Sequence, residues 1–166
     1  MNWEKQLPDA LVRLLREHGV PARTGWTGEE REPLTAPIAL VTVREYTACC
    51  AGFGDYLGER YNGEKALWEE LYGKKVDAVL GLDLYAPERS NEGEMQELLE
   101  QIVRVLTLES PAGMQMGEIT CAEVTWDERQ RILKREVSMK CTLWLQAVCT
   151  EIGEFLDFEL RGGCKH

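Results

Sequence analysis

Residues 74–86 read Lys-Lys-Val-Asp-Ala-Val-Leu-Gly-Leu-Asp-Leu-Tyr-Ala, and this alternation decides the fold. Val76, Ala78, Leu80, Leu82 and Leu84 take one face, while Lys75, Asp77, Gly81, Asp83 and Tyr85 take the other. Successive side chains of a strand point to opposite faces, so this pattern describes a strand with one face on a core and one toward water or a neighbour. A slip of one residue would turn the whole apolar set outward, so the register is strongly specified. Pro87 ends the run.

Downstream, Ser90 and Asn91 are candidate caps, and Glu94 lies three residues beyond Asn91. Met95, Leu98, Leu99, Ile102, Val103 and Leu106 follow at helical spacing, with Glu92, Glu94, Glu97 and Glu100 on a solvated face. After a turn at 110–113, residues 116–126 and 132–148 read as strands joined by a charged hairpin at 127–130. The second carries the longest alternation in the chain. Leu133, Val137, Met139, Cys141, Leu143, Leu145, Ala147 and Cys149 oppose Lys134, Glu136, Ser138, Lys140, Thr142, Trp144 and Gln146, as in a central strand or long ribbon. Residues 155–160 alternate again as an edge strand, and Gly162, Gly163 and Cys164 mark a frayed end at 161–166.

Upstream, residues 38–50 read as a strand, 22–26 as a short strand and 27–37 as a charged loop. Leu7, Ala10, Leu11, Leu14, Leu15 and His18 form a helical stripe that Gly19 and Pro21 close. Pro8 leaves two starts, at Pro8 itself or at Asn2 with a kink. The element order predicts an α+β fold: one domain over residues 1–166, a mainly antiparallel sheet with two helices on one face.

A chain of 166 residues with 44% hydrophobic content buries enough surface to need neither disulfide nor structural metal. A net charge of −10 opposes sequence-independent binding to phosphate backbones. No apolar run reaches the ~18–20 residues of a membrane helix, and Met1 to Lys5 lack the start of a signal peptide, so a cytoplasmic protein is expected. Cys49, Cys50, Cys121, Cys141, Cys149 and Cys164 contain no CxxC and are read as buried free thiols rather than three bridges. They do not pair with histidine at zinc-ligand spacing, so no metal site is expected.

The sequence holds no nucleotide-binding, hydrolase or metalloprotease motif. Asp77 with Asp83 and Glu123 with Asp127 read as solvated carboxylates, and His18 as a helix-end residue. Cys49 and Cys50 could offer a thiol nucleophile, but His18 is the only internal histidine to partner them and a papain-like or caspase-like context is missing. No catalytic, cofactor-binding or metal residue is assigned, and the expectation is a protein that is not an enzyme. Residues 53–72 are the informative stretch. They hold Phe53, Tyr56, Tyr61, Trp68 and Tyr72 in a connection far longer than an ordinary hairpin loop of ~2–5 residues. Two readings stand: a loop tucked onto its own core, with 64–72 as a short helix, or a projecting arm whose aromatics a neighbouring subunit covers. With Asp83 and Tyr85 on the outward strand face, these five aromatics are the candidate interaction residues.

The whole order resembles the tail-terminator, or tail-completion and head-tail joining, proteins of tailed bacteriophages and prophages. The stretches Tyr56-Leu57-Gly58-Glu59-Arg60-Tyr61, Glu70-Leu71-Tyr72-Gly73-Lys74-Lys75, Leu82-Asp83-Leu84-Tyr85-Ala86-Pro87 and Gly153-Glu154-Phe155-Leu156-Asp157-Phe158 resemble tail-region proteins of Firmicute prophages. The resemblance implies a structural virion subunit that closes into a ring-like homo-oligomer, a hexamer among the sizes it allows. It implies a tail tube protein and a head-tail connector protein as partners, and no cofactor. It also implies no membrane, no sequence-specific nucleic acid, and a place in the host cytoplasm during assembly and in the virion afterwards. The alternative is a small cytosolic ligand-binding or accessory domain without catalytic activity.

Overall fold

A computed structural model describes residues 3–25, 33–150 and 155–161. The expectations for Trp26, the loop over 27–32, Gly153, Glu154 and the frayed end at 162–166 lie outside the described residues. The elements run α1 (Trp3–Glu17), β1 (Ala22–Thr24), β2 (Ile38–Cys50), β3 (Tyr56–Asn62), β4 (Leu67–Pro87), α2 (Glu92–Leu108), β5 (Met114–Asp127), β6 (Ile132–Thr150) and β7 (Phe155–Arg161). This is an α+β fold built on a mostly antiparallel seven-stranded sheet.

The sheet is organised around β4 and β6, which pair antiparallel from Glu69↔Thr150 to Pro87↔Ile132. On one edge of this ribbon β2 pairs with the C-terminal part of β4 and β3 with its N-terminal part. On the other edge, β5 and then β7 take the two ends of β6 in the same way. The result is two half-sheets sharing one ribbon: β1-β2-β4-β6-β5, and β3-β4-β6-β7. Among the described strands only β1 pairs parallel, against β2.

Both helices pack on the first half-sheet. Leu11, Leu14 and Leu15 of α1 and Met95, Leu98, Leu99, Ile102, Val105 and Leu106 of α2 meet Val41, Ala78, Leu80, Leu82, Leu84, Val137, Met139 and Cys141 in one core. The residues expected inward on β4 are all buried. A second cluster, Leu7 with Val76, Met114, Leu143 and Leu145, continues this core along the ribbon. α1 starts at Trp3, so Pro8 sits inside the helix, and Gly19 with a φ of 75° follows its end. α2 starts where the cap pattern predicts: Asn91 Oδ1 accepts from the Glu94 N–H at 3.0 Å. His18 does lie at a helix end, with Nε2 3.2 Å from Glu109 Oε1, joining the C-terminal ends of both helices.

Several expectations need correction. Val103 is 38% exposed, and Val105 fills the stripe instead, because positions 95, 98, 99, 102, 105 and 106 lie on one helical face. β4 begins at Leu67 rather than Lys74, so 64–72 contains no helix. The thiols of Cys49, Cys50 and Cys121 are exposed, since the end of β2 runs past the helices and β5 is an edge strand. Cys141 does sit in the core, where burial pushes its thiol up to about 11. Cys164 lies outside the described residues.

Asp83 lies on the outward face of β4 and is engaged there by neighbouring strands. Its carboxylate pairs with the Arg44 guanidinium and accepts the Val137 backbone N–H at 3.1 Å, while Arg44 also donates to Ser138. Three strands are tied by this contact. Gly81 makes room for it, because a Cβ there would lie 2.7 Å from Thr42 Oγ1 and 2.9 Å from Arg44 Nε. The core placement gives a direct expectation for stability. Leu82→Ala loses about 2–5 kcal/mol in urea unfolding, whereas Val103→Ala changes it by no more than about 0.5 kcal/mol.

Candidate functional site: the uncovered hairpin

The segment expected as an arm is a β-hairpin formed by β3 and the first residues of β4. Its turn is set by Asn62, whose Oδ1 accepts from the N–H groups of Glu64 and Lys65, both at 3.1 Å. Ala66 closes the turn with a φ of 52°. At the other end, Lys74 Nζ lies 2.7 Å from Asp55 Oδ2, and the Gly73 N–H donates to the Asp55 carbonyl. A bulge at Leu57 lets its side chain lie across Gly73, where a Cβ would sit 2.5 Å from Leu57 Cδ1. A Cβ there would push the Leu57 side chain aside.

One face of the hairpin is closed and polar at its centre. Glu69 is fully buried, yet it accepts from Arg60 Nε at 2.7 Å and Asn62 Nδ2 at 2.9 Å, with Lys65 Nζ at 3.6 Å. The Arg60 hydrogen bond, then that of Asn62, holds this carboxyl below the usual carboxylate range. The buried Val148 of β6 lies opposite Leu71 on the neighbouring rung.

The other face carries the aromatics. Tyr56 opposes Tyr72, Glu59 opposes Glu70 and Tyr61 opposes Trp68, giving three rungs on one side of the two strands. Each aromatic pair meets edge to face, with ring centroids 5.5 Å apart. The acidic rung lies between them. The Tyr56 hydroxyl donates to Glu59 at 3.2 Å and the Tyr72 hydroxyl to Glu70 at 3.0 Å. The Glu70 hydrogen bond raises the Tyr72 pKa, and desolvation followed by the Glu59 charge raises that of Tyr56. Despite their pairing, Tyr56, Tyr61 and Trp68 remain 53%, 56% and 47% exposed.

Four of the expected interaction residues, Tyr56, Tyr61, Trp68 and Tyr72, are therefore brought together. Phe53 stands apart, fully exposed in the bend before β3. Asp83 and Tyr85 lie in the helix-covered half-sheet, roughly 35–45 Å beyond Tyr72 along β4 at ~3.3 Å per residue. There Tyr85 faces Lys134, whose Nζ is 5.9 Å from the ring centroid. Glu59 and Glu70 were not singled out by their sequence. The signal was the shared parity of positions 68, 70 and 72, once the strand is known to start at Leu67.

Two thiols, Cys49 and Cys50, lie at the hairpin's root. A hydrogen bond from Cys50 to the Asp55 carboxylate, together with that carboxylate's charge, pushes the Cys50 thiol up, away from the thiolate. Cys49 Sγ lies 3.5 Å from the Lys75 carbonyl. Asp77 pairs with Thr142 and Lys75, and Asp127 accepts from the Arg129 and Gln130 N–H groups of its hairpin. Among the described residues no group of three or more His, Cys, Asp or Glu could hold a metal ion. No helix among them is long and apolar enough to cross a membrane.

Glu69 makes the hairpin's stability depend on pH. Its folded pKa is depressed, so its contribution is fully present above the unfolded value of about 4.3 and is lost as pH falls through the lower, folded value. Urea midpoints of the wild type, followed by tryptophan emission, will drop steeply from pH 5 to pH 3. Glu69→Gln will start lower at pH 7 and lose part of that slope; an unchanged slope would mean that the Arg60 pair carries no stability.

No protein-family model matches this chain, and no curated protein matches it.

Proposed function

We propose that this chain is a structural, non-enzymatic subunit of a tailed-phage or prophage particle. The role is that of a tail-terminator or tail-completion protein that closes into a ring, caps the tail tube and joins it to the head connector. The observation that carries this reading is the hairpin face of Tyr56, Tyr61, Trp68 and Tyr72, half-exposed on a sheet that extends beyond its helices. Large aromatic side chains anchor interfaces, and a row of them open to water favours a covered, assembled state.

Two further features support assembly. β3 and β7 are edge strands of the same half-sheet, and edge strands present unpaired backbone groups to neighbouring chains. Heterologous contacts repeated around a rotation axis close into a ring. A net charge of −10 also suits a ring through which DNA passes without adhering, because acidic walls repel phosphates.

Size-exclusion chromatography with light scattering tests the reading. The expected result is a discrete ring-sized oligomer, alone or on addition of tail tube protein. Replacing Tyr61 and Trp68 by Ser should weaken the complex with tail tube protein while leaving the chain's own oligomer and its folded core in place. A chain that stays monomeric or dimeric at tens of micromolar, with and without tail tube protein, would favour a ligand-binding accessory domain instead.

A further inference from the structure

The central rung of the aromatic face pairs two like charges. Glu59 and Glu70 are Cα partners on adjacent strands, and like charges directly opposite each other destabilise a sheet. Neither meets a cation among the described residues, although the opposite face of the same hairpin gives Glu69 both Arg60 and Lys65. The two carboxylates are instead aimed by tyrosine hydroxyls, both from the Tyr56–Tyr72 pair at the root of the hairpin. Rungs on one face repeat about every 7 Å, so an aromatic pair flanks the acidic rung on each side.

We infer that this face receives an arginine-bearing extended segment of a basic partner protein, with a guanidinium seated on the Glu59–Glu70 rung between the Tyr56–Tyr72 and Tyr61–Trp68 pairs. A guanidinium matches both parts of the surface. Its planar fork donates to two carboxylates while its faces stack on aromatic rings, which an ammonium does less well. Charge complementarity selects the partner, because two outward carboxylates match a cation-bearing segment better than they match a chain of net charge −10. The inference rests on the reading of the hairpin as an assembly surface. It does not depend on the chain forming a ring.

The test uses the full chain and a nona-arginine peptide, titrated by calorimetry at physiological salt. Wild type is expected to bind, and the Glu59→Gln/Glu70→Gln double variant to bind at least tenfold more weakly. Glu97→Gln/Glu100→Gln, which removes the same charge from the exposed face of α2, should bind within twofold of wild type. Tyr61→Ser/Trp68→Ser should lose at least fivefold, and nona-lysine should bind several-fold more weakly than nona-arginine. Equal losses in the two glutamate variants, or no binding by wild type at millimolar peptide, would overturn the inference.

Two controls separate it from neighbouring explanations. Removing the like-charge rung should leave the melting temperature of the hairpin variant at or above that of wild type; a lower value would make the rung structural and the inference wrong. Light scattering of the same variant should show the wild-type mass. A loss of oligomer there would identify a second copy as the occupant and overturn the basic-partner assignment while leaving the ring reading intact. A monomeric wild type that still binds nona-arginine through Glu59 and Glu70 would sink the ring and keep the inference.

Discussion

The antiparallel ladder between β4 and β6 is the constraint on which the rest of the molecule depends. Its register is unbroken from Glu69↔Thr150 to Pro87↔Ile132. At ~3.3 Å per residue, the 21 residues of β4 span roughly 70 Å, whereas α1 and α2, with 15 and 17 residues at ~1.5 Å, span only about 25 Å each. Two such helices cannot line the whole ribbon. One end of it must extend beyond the helical layer, and that end is the half-sheet of β3 and β7.

The mismatch changes which side of the ribbon is buried. From Val76 to Ala86 the even-numbered side chains of β4 are buried under the helices. At Gly73 and Glu69 it is the odd positions that are buried, while Trp68 on the even side is exposed. β6 changes in step, from Leu143 and Leu145 to Val148. Pairing is not shifted between Lys74 and Leu71, so the change is one of cover and not of register. Leu57 lying across Gly73 marks the crossing, and the polar cluster around Glu69 closes the newly covered side.

This explains what could be read in the sequence and what could not. Alternation over 74–86 and 133–145 is produced by the helical layer, so both strands, their inward faces and the α+β order were legible. The helical stripe from Met95 to Leu106 was legible for the same reason, apart from the substitution of Val105 for Val103 at its edge. The hairpin was harder, because Leu67 to Tyr72 holds no clean apolar alternation: its buried position is Glu69 and its exposed ones are rings. A charged residue in the closed side and aromatics on the open side invert the usual signal. The aromatic richness of 53–72 was visible, but the strand that aligns four of those aromatics on one face was not. Asp83 lies on the outward parity that the sequence indicates, but a carboxylate there gives no sign that Arg44 and the Val137 N–H will claim it.

The two uncovered faces of the sheet are built differently. On the side of the first half-sheet away from the helices, charges of opposite sign are matched across strands. Lys140 meets Glu118 at 2.7 Å, Thr142 donates to Asp77 at 2.7 Å, and Arg44 bridges to Asp83 and Ser138. Such a face is complete in water, because its polar groups satisfy one another or the solvent. The hairpin face has the reverse character: a rung of two glutamates, and aromatic pairs that stay half-exposed. Cross-strand chemistry capable of pairing charges is present in the same molecule, a few rungs away and on the hairpin's own reverse side. A surface that leaves like charges and large rings facing outward under those conditions has the chemistry that a cation-bearing neighbour would match.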